Sequence, residues 1–520
     1  MHHARLANAT VEAGVSASAR AGVDPPRGAL HAKTISPWRI SWPLVVGVLL
    51  LTLLLNTTGL PLLADPDSHW HVAVGKWILA NGSVPTVDSY SHTFAGQPWI
   101  AKEWLSQLLL ALADSAGGWG GVAALCAASI GVSFALLLRL LLVDIRPLPA
   151  MMFTIAAIVL TAPHFLARPH VLAFPVMLLW VAGMVRAVEQ RRAPKPLLLL
   201  AMLLWANLHG GFTLGLMLCG VFALEAVVTA RDAAERKALF VDWAKFGVAA
   251  FLVACITPYG PESILVTFRI FGLGDVLGMI SEWKSPDFQA QPMQELILLT
   301  AIFAALSFGL KLPVLRLLLV LGLLHLFLKY ARNAELLAML APIALAPLLA
   351  RQWPSLRPDG GAFPGRTFLE RMASLGRPAG LYGTLACLSL AAVFAGGMIR
   401  FGDIRPPTNT TPIAALDFVR WANLQGPVFN DYDFGGFLLH AGIPTFIDGR
   451  AELFGGDFIK RYAETVGLRG QEPLEHFLDR YGIEWTLLQK GRPANKLLER
   501  LPGWRPVFSD DVAVVFARRR

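Results

Sequence analysis

Long apolar runs, repeated along the first four hundred residues, constrain this chain more than any other feature. They lie at 43–63, 118–143, 149–165, 170–185, 196–212, 213–230, 243–258, 292–310, 312–330, 335–350 and 379–399. A helix needs roughly 20 apolar residues to cross a bilayer. Only helices and closed barrels satisfy their own backbone polar groups there, and runs without period-2 alternation read as helices. The expected fold is therefore a polytopic α-helical membrane protein with about eleven transmembrane helices. Composition agrees: 55% of the 520 residues are hydrophobic and 16% are charged, against roughly 25% charged in an average soluble domain. Mean hydropathy is +0.53. An ordinary cytosolic enzyme, a disordered protein and a nucleic-acid binder of the usual kind are excluded.

Charge divides the chain into three parts. Residues 400–520 hold 31 of the 81 charged side chains, a soluble composition. Residues 1–41 are rich in Ala, Ser, Gly and Pro and read as a disordered cytoplasmic tail. Residues 42–399 form the membrane domain. The net charge of +9 lies mostly in short loops of that domain, where it acts as an orientation signal rather than a nucleic-acid patch. Arg146, then Arg186, Arg191, Arg192 and Lys195, then Arg231, Arg236 and Lys237, and then Arg351 through Arg377 share one side with the N-terminal tail. That side is expected to be cytoplasmic. The other side, periplasmic in a bacterial inner membrane, receives 64–103, 164–169, 258–291, a short turn near 331–334 and the C-terminal domain. Cys126, Cys219, Cys255 and Cys387 each sit in an apolar run with no CxxC neighbour. Neither a disulfide framework nor a zinc site is expected.

Polar residues at membrane depth are costly and tend to mark a site. Here Asp65, Asp67, His69, His71, Glu103, His164, Arg168, His170, Asn207, His209, Glu282, Lys329 and Arg332 all fall at outer ends of runs or in outer loops. Their convergence predicts one outward-opening cavity. The first outer loop begins ADPDSHWHVAVGKWILANG (64–82). Trp70, Val74, Trp77 and Ile78 share one helical face, Asp67 stands where an N-cap would, and Asn81-Gly82 is a stop. An amphipathic helix lying in the membrane interface is expected. A carboxylate just above a span can serve as general base toward a hydroxyl or bind a hard divalent cation. Asp65 and Asp67 suit either role.

The order of apolar span, Asp-x-Asp, Trp-rich helix ending Asn-Gly, and Pro-x-x-Asp turn (85–88) resembles the first outer loop of C-type glycosyltransferases. These are multi-span enzymes that use polyprenyl-linked sugar donors. Within them, DSHWH (67–71) is similar to the loop of the oligosaccharyltransferase catalytic subunit. The resemblance implies a catalytic and metal-binding Asp67. In APHFLARPHVLAFP (162–175), Arg168 and His170 stand where that family places an Asp/His pair completing the metal site. MISE (279–282) is similar to its Thr-Ile-x-Glu motif, which makes Glu282 a second acid. If Mg2+ or Mn2+ is bound, the implied ligands are Asp67, His170 and Glu282. No other cofactor is implied.

Arg168, with Lys329 and Arg332 of KYARN (329–333), suits a donor phosphate. His71, Glu103, Asn207 and His209 are candidate substrate-binding residues. So is Asp433, in NDYDFGGFLLHAGIPTFIDGR (430–450), which is similar to the start of the oligosaccharyltransferase soluble domain but lacks its tryptophans. The C-terminal domain reads as small α/β: strand, turn, helix, strand and turn over 428–456, a helix presenting Leu474, Phe477, Leu478 and Tyr481, then strands at WTLLQ, WRPVF and VAVVFAR. It has no Walker A, GxGxxG or GxSxG motif.

The expected function is transfer of a sugar from a polyprenyl-(di)phosphate donor to an envelope glycan, lipid or other acceptor at the periplasmic face, with Asp67, Asp65 and Glu282 catalytic and the sugar inverted. Partners are the lipid-linked donor, the acceptor and membrane lipids, with no nucleic acid. Two alternatives stay open: an oligosaccharyltransferase with a protein acceptor, and a lipid-linked sugar flippase. The flippase would need ionisable residues at mid-membrane and access from both sides.

Overall fold

A computed structural model describes residues 36–56, 62–271, 278, 283–358 and 374–519. Most of the expected N-terminal tail and Glu282 lie outside the described residues. The membrane part comprises α1 (Trp42–Asn56), α2 (Asp67–Asn81), α3 (Trp104–Leu141), α4 (Pro147–Thr161), α5 (Pro169–Glu189), α6 (Leu199–Leu208), α7 (Phe212–Val228), α8 (Ala233–Ala254), α9 (Glu262–Phe271), α10 (Pro292–Ser307), α11 (Val314–Lys329), α12 (Ala334–Gln352) and α13 (Leu381–Phe401). Among the described residues, five helices are long and apolar enough to cross a membrane: Trp104–Leu141, Pro147–His164, Pro169–Glu189, Ala331–Gln352 and Leu381–Phe401. Four shorter apolar helices accompany them, Trp42–Asn56, Pro196–Leu208, Phe212–Val228 and Pro292–Ser307. The runs at 243–258 and 312–330 fall in α8 and α11. Both helices carry charge, Arg236, Lys237, Asp242 and Lys245 in one and Arg316 in the other, and neither joins these two groups.

Two local features shape the bundle. The 38-residue α3 breaks at Gly117 and Gly118, where Gly118 has φ +56°. Its first half runs beside α2 and its second half beside α1. At the α1–α3 crossing a Cβ on Gly131 would lie 2.6 Å from the Gly47 carbonyl oxygen, so only small residues allow the approach. Elsewhere in the bundle, buried Arg316 pairs with Glu225 at 2.6 Å and donates to the Ala344 carbonyl. Arg351 pairs with Glu189 there, and Arg186 with Asp144.

The C-terminal domain begins with α14 (Ile413–Trp421), followed by β1 (Val428–Asn430), α15 (Tyr432–His440), α16 (Ala451–Val466), α17 (Leu474–Arg480), β2 (Trp485–Gln489), α18 (Pro493–Leu498), β3 (Trp504–Ser509) and β4 (Ala513–Arg518). The sheet order is β1-β2-β4-β3. β1 runs parallel to β2 with Phe429 opposite Thr486, and β4 is antiparallel to both β2 and β3. The three expected strands are present, and so is the helix burying Leu474, Phe477 and Leu478. The second strand expected within 428–456, after the helix, is absent. Thr445 makes only a single bridge to Ser91 of the first outer loop.

That loop is built into the C-terminal domain. Thr445 N–H donates to the Tyr90 carbonyl and His92 N–H to the Thr445 carbonyl, both at 3.0 Å. Arg450, fully buried, donates to Asp88 at 2.6 Å and to Asp448 at 2.7 and 2.8 Å. Its guanidinium also lies 4.8 Å from the Trp99 ring centroid and 5.2 Å from that of Tyr90. α15 closes over α2. Its Ser68, His69, Trp70, His71, Val72, Val74, Gly75 and Ile78 are buried. His69 is enclosed by Trp119, Phe437 and His440. Burial, with the nearby His440, lowers its pKa to about 3.

Replacing one member of a buried ion set strands the others, at a cost of about 3–5 kcal/mol. Arg450→Met is expected to destabilise the full chain by about this much, read as a lower midpoint of thermal unfolding in detergent. A midpoint equal to wild type would show that the clamp does not hold the domain.

Candidate active site

The site starts from three charged residues on two chain segments. Asp65 Oδ1 accepts the Asp67 backbone N–H at 2.7 Å. The local capping role expected of Asp67 therefore falls to Asp65, and Asp67 becomes the first residue of α2. Arg168 precedes Pro169 and is extended, with φ −127° and ψ 163°, the conformation that a following proline favours. It stands at the start of α5 and reaches across to both acids, 3.2 Å to Asp65 and 2.9 Å to Asp67. On the other flank lies the Gly449 backbone. A Cβ there would overlap the Asp67 carboxylate, so Gly449 is required by close approach.

Around these groups opens a cavity of about 330 Å³. Its floor is apolar, with Ala173, Phe174 and Met177 from α5 and Leu214 and Met217 from α7. Its rim is charged: Asp67, Lys102, Glu103, Arg168, Arg332, Glu335 and Glu452. Tyr432, Gly449, Ala451 and Glu452 bring the C-terminal domain into the wall. Lys102 and Glu452 form a buried pair at 3.0 Å. Burial opposes both charges, yet Glu452 keeps the Lys102 ammonium above its usual range, and Lys102 keeps the Glu452 carboxyl below its own. Arg332 lies over the Trp283 ring at 4.6 Å.

Glu103 has a different environment. His209 Nε2 lies 3.5 Å from Oε1 and His71 Nε2 lies 4.0 Å from Oε2. Burial raises the Glu103 pKa, against the opposing pull of Lys102 and Arg168. His209 is held well below its usual value, first by burial and then by Arg332 and Lys102. Glu335 of the rim pairs with His164 at 3.2 Å, and the His164 ring stacks on His170 at 4.4 Å.

The residues singled out from the sequence divide accordingly. Asp67, Glu103, Arg168, His170, His209 and Arg332 line the cavity, while Asp65 and His71 stand directly behind it. Three others lie elsewhere. Asn207 accepts from Trp104 Nε1 at 2.9 Å and donates to the Leu203 and Ile256 carbonyls, tying three segments together. Lys329 is exposed beside the Tyr330 ring. Asp433, next to the cavity-lining Tyr432, accepts from Gln489 at 3.1 Å and lies 3.6 Å from Arg492. Lys102, Glu335 and Glu452 were not singled out. Two had a local signal: Lys102 adjoins Glu103, and Glu335 follows Arg332 by one helical turn. Glu452 had none, because only the docked domain brings it to the rim.

For the divalent ion implied at Asp67, His170 and Glu282, two described ligands are engaged otherwise. Arg168 occupies the Asp67 oxygen, and His170 Nε2 lies 3.1 Å from the His164 carbonyl oxygen. A cation there would have to displace the guanidinium. Among the described residues, no group of three His, Cys, Asp or Glu is placed to hold a metal ion.

No protein-family profile and no curated protein sequence matches the chain. Among solved structures, it is similar to the archaeal oligosaccharyltransferase AglB from Archaeoglobus fulgidus, in complex with an inhibitory peptide and a dolichol-phosphate. That match has a TM-score of 0.48 at 10% identity over 86% of this chain and 69% of AglB. It is also similar to ArnT from Cupriavidus metallidurans bound to undecaprenyl phosphate, with a TM-score of 0.49 at 14% identity over 91% of this chain and 97% of ArnT. The apo state of ArnT gives 0.49 at 15% identity over the same shares.

Gly449→Ala tests the contact between the two parts of the site. The added methyl must displace Asp67 or the 449 backbone, a strain of about 1–3 kcal/mol, and a lower unfolding midpoint is expected. Gly491→Ala, where nothing lies within 4 Å of the new Cβ, serves as the control and leaves the midpoint unchanged.

Proposed function

We propose that this chain is an integral-membrane glycosyltransferase. It moves a sugar from a polyprenyl-(di)phosphate donor to an envelope glycan, lipid or other acceptor at the periplasmic membrane face. The observation that carries this reading is the cavity, in which Lys102, Arg168 and Arg332 share a charged rim above a floor of Phe174, Met177, Leu214 and Met217. A polyprenyl phosphate has the matching chemistry. Its tail suits the apolar floor contributed by the spanning helices, and its phosphate suits the cations, with guanidinium geometry especially apt.

In the reaction, an acceptor oxygen attacks the anomeric carbon as the bond to the donor phosphate breaks. A single displacement of this kind inverts the sugar. Charge accumulates on the leaving phosphate, and preorganised cations lower the barrier most where charge develops. The Asp67–Arg168 pair stands at the centre of the rim, where it orients the guanidinium toward that phosphate. A protein acceptor is less well supported, since Asp433 is engaged by Gln489 and Arg492. So is a flippase: the cavity's charged groups lie at one end of the bundle, while the buried Arg316–Glu225 pair ties helices together elsewhere.

The test is mass spectrometry of lipid-linked sugars and envelope glycans in a strain lacking the protein, complemented with wild type or variants. The expected result is an accumulated polyprenyl-linked sugar and a glycan one residue short, both reversed by wild type. Arg168→Gln and Asp67→Asn are expected to lower transfer by at least about 100-fold. A wild-type complement that changes neither pool would exclude the reading.

A further inference from the structure

Of the acids at the site, Glu452 is paired with Lys102 at 3.0 Å and Glu335 with His164 at 3.2 Å; three others could take the acceptor's proton in the transfer proposed above, and their surroundings differ. Asp65 has one oxygen on the Asp67 N–H and the other on Arg168. Asp67 holds Arg168 at 2.9 Å. Both carboxylates are thus engaged by the guanidinium. Glu103 lies on the same rim, and among the described residues no Lys or Arg comes within ion-pair distance of it. Its neighbours are two imidazoles with fixed tautomers. The Gly211 N–H donates to His209 Nδ1 at 3.1 Å, which leaves the proton on Nε2, the atom facing Glu103. The Gln107 amide lies 3.4 Å from His71 Nδ1 and likewise leaves Nε2–H toward Glu103. At 3.5 and 4.0 Å these contacts orient the carboxylate and remain longer than full hydrogen bonds. Lone pairs therefore stay available toward the cavity.

We infer that Glu103 is the general base of this site, with His209 and His71 as its positioning residues and the Asp67–Arg168 pair as the electrostatic element. The inference rests on the transferase reading. As the acceptor oxygen bonds to the anomeric carbon, its proton passes to Glu103. The carbon–oxygen bond to phosphate breaks, and its electron pair leaves with the phosphate beside Lys102, Arg168 and Arg332. Glu103 returns the proton to solvent once the product has left. A base works best when its proton affinity lies close to the working pH. Of the groups that face Glu103, burial and Glu452 raise its affinity, whereas Lys102, Arg168 and Arg332 lower it, and burial prevails.

The test uses the purified full-length chain added to membranes of the strain lacking it, which supply donor and acceptor. Transfer is followed by the glycan mass shift, and binding of undecaprenyl phosphate by thermal shift. Glu103→Gln is expected to lower the transfer rate by about 10²–10⁴-fold with undecaprenyl phosphate binding kept, and Glu103→Asp to restore part of the rate. The wild-type rate should fall on its acid side at a pH above the ordinary glutamate range, and His209→Asn should move that limb. Glu103→Gln turning over at the wild-type rate overturns the inference and leaves the transferase reading intact. Should Glu103→Gln fail to fold, an acid limb unmoved by His209→Asn overturns it instead. Wild type that transfers nothing overturns both.

Discussion

The arrangement of the site depends on Arg450. Its guanidinium is buried between the two carboxylates of Asp88 and Asp448 and beside the rings of Trp99 and Tyr90. A buried charge is tolerable only when it is paired and hydrogen-bonded, and this set is well satisfied. Asp88 also accepts from the Tyr90 N–H and from the Ser91 hydroxyl, and Asp448 accepts from Thr445. Arg450 and its hydrogen bonds hold the Asp88 carboxyl below its usual range despite burial. Asp88 belongs to the first outer loop, and Arg450 to the C-terminal domain. One ion set therefore joins the loop that carries Asp67 to the segment that carries Gly449 and Glu452. Without that junction, the rim of the cavity would lose one wall.

Within the cavity, the charges are paired in a way that separates tasks. Lys102 answers Glu452, and Arg168 answers Asp65 and Asp67. His164 answers Glu335. Glu103 faces His209 and His71 rather than a cation. Low dielectric strengthens every one of these interactions, so a phosphate entering the cavity meets cations already oriented. The apolar floor belongs to helices that run down into the membrane domain, while the rim is shared with a domain of soluble composition. A ligand with one greasy and one charged end fits that division.

Much of the fold was legible in the sequence because it follows from local rules. Apolar runs mark helices wherever no charge interrupts them, and the apolar helices correspond to runs read directly. The strands at 485–489, 504–509 and 513–518 follow from alternation and β-branched content. The helix at 451–466 was not anticipated, although Phe454, Phe458, Ile459, Tyr462 and Val466 share one buried face, because the Gly455-Gly456 pair within it reads as a turn. The second strand expected within 428–456 gave way to backbone pairing with the first outer loop, a long-range event that local propensity does not report.

For the site, the sequence by itself determined which polar residues stand at the outer ends of apolar segments, since a charge at membrane depth is tolerated only near an end or in a protected cavity. That rule alone points to Asp67, Glu103, Arg168, His209 and Arg332. Tertiary structure decided what each of them faces. It set Arg168 across both acids, turned Asp433 toward Gln489, committed Asn207 to backbone carbonyls and brought Glu452 to Lys102 across 350 positions of sequence. A carboxylate's chemistry depends on whether a guanidinium, an imidazole or a backbone N–H lies within about 3–4 Å of it. Distances of that kind arise only when segments far apart in the chain are packed together.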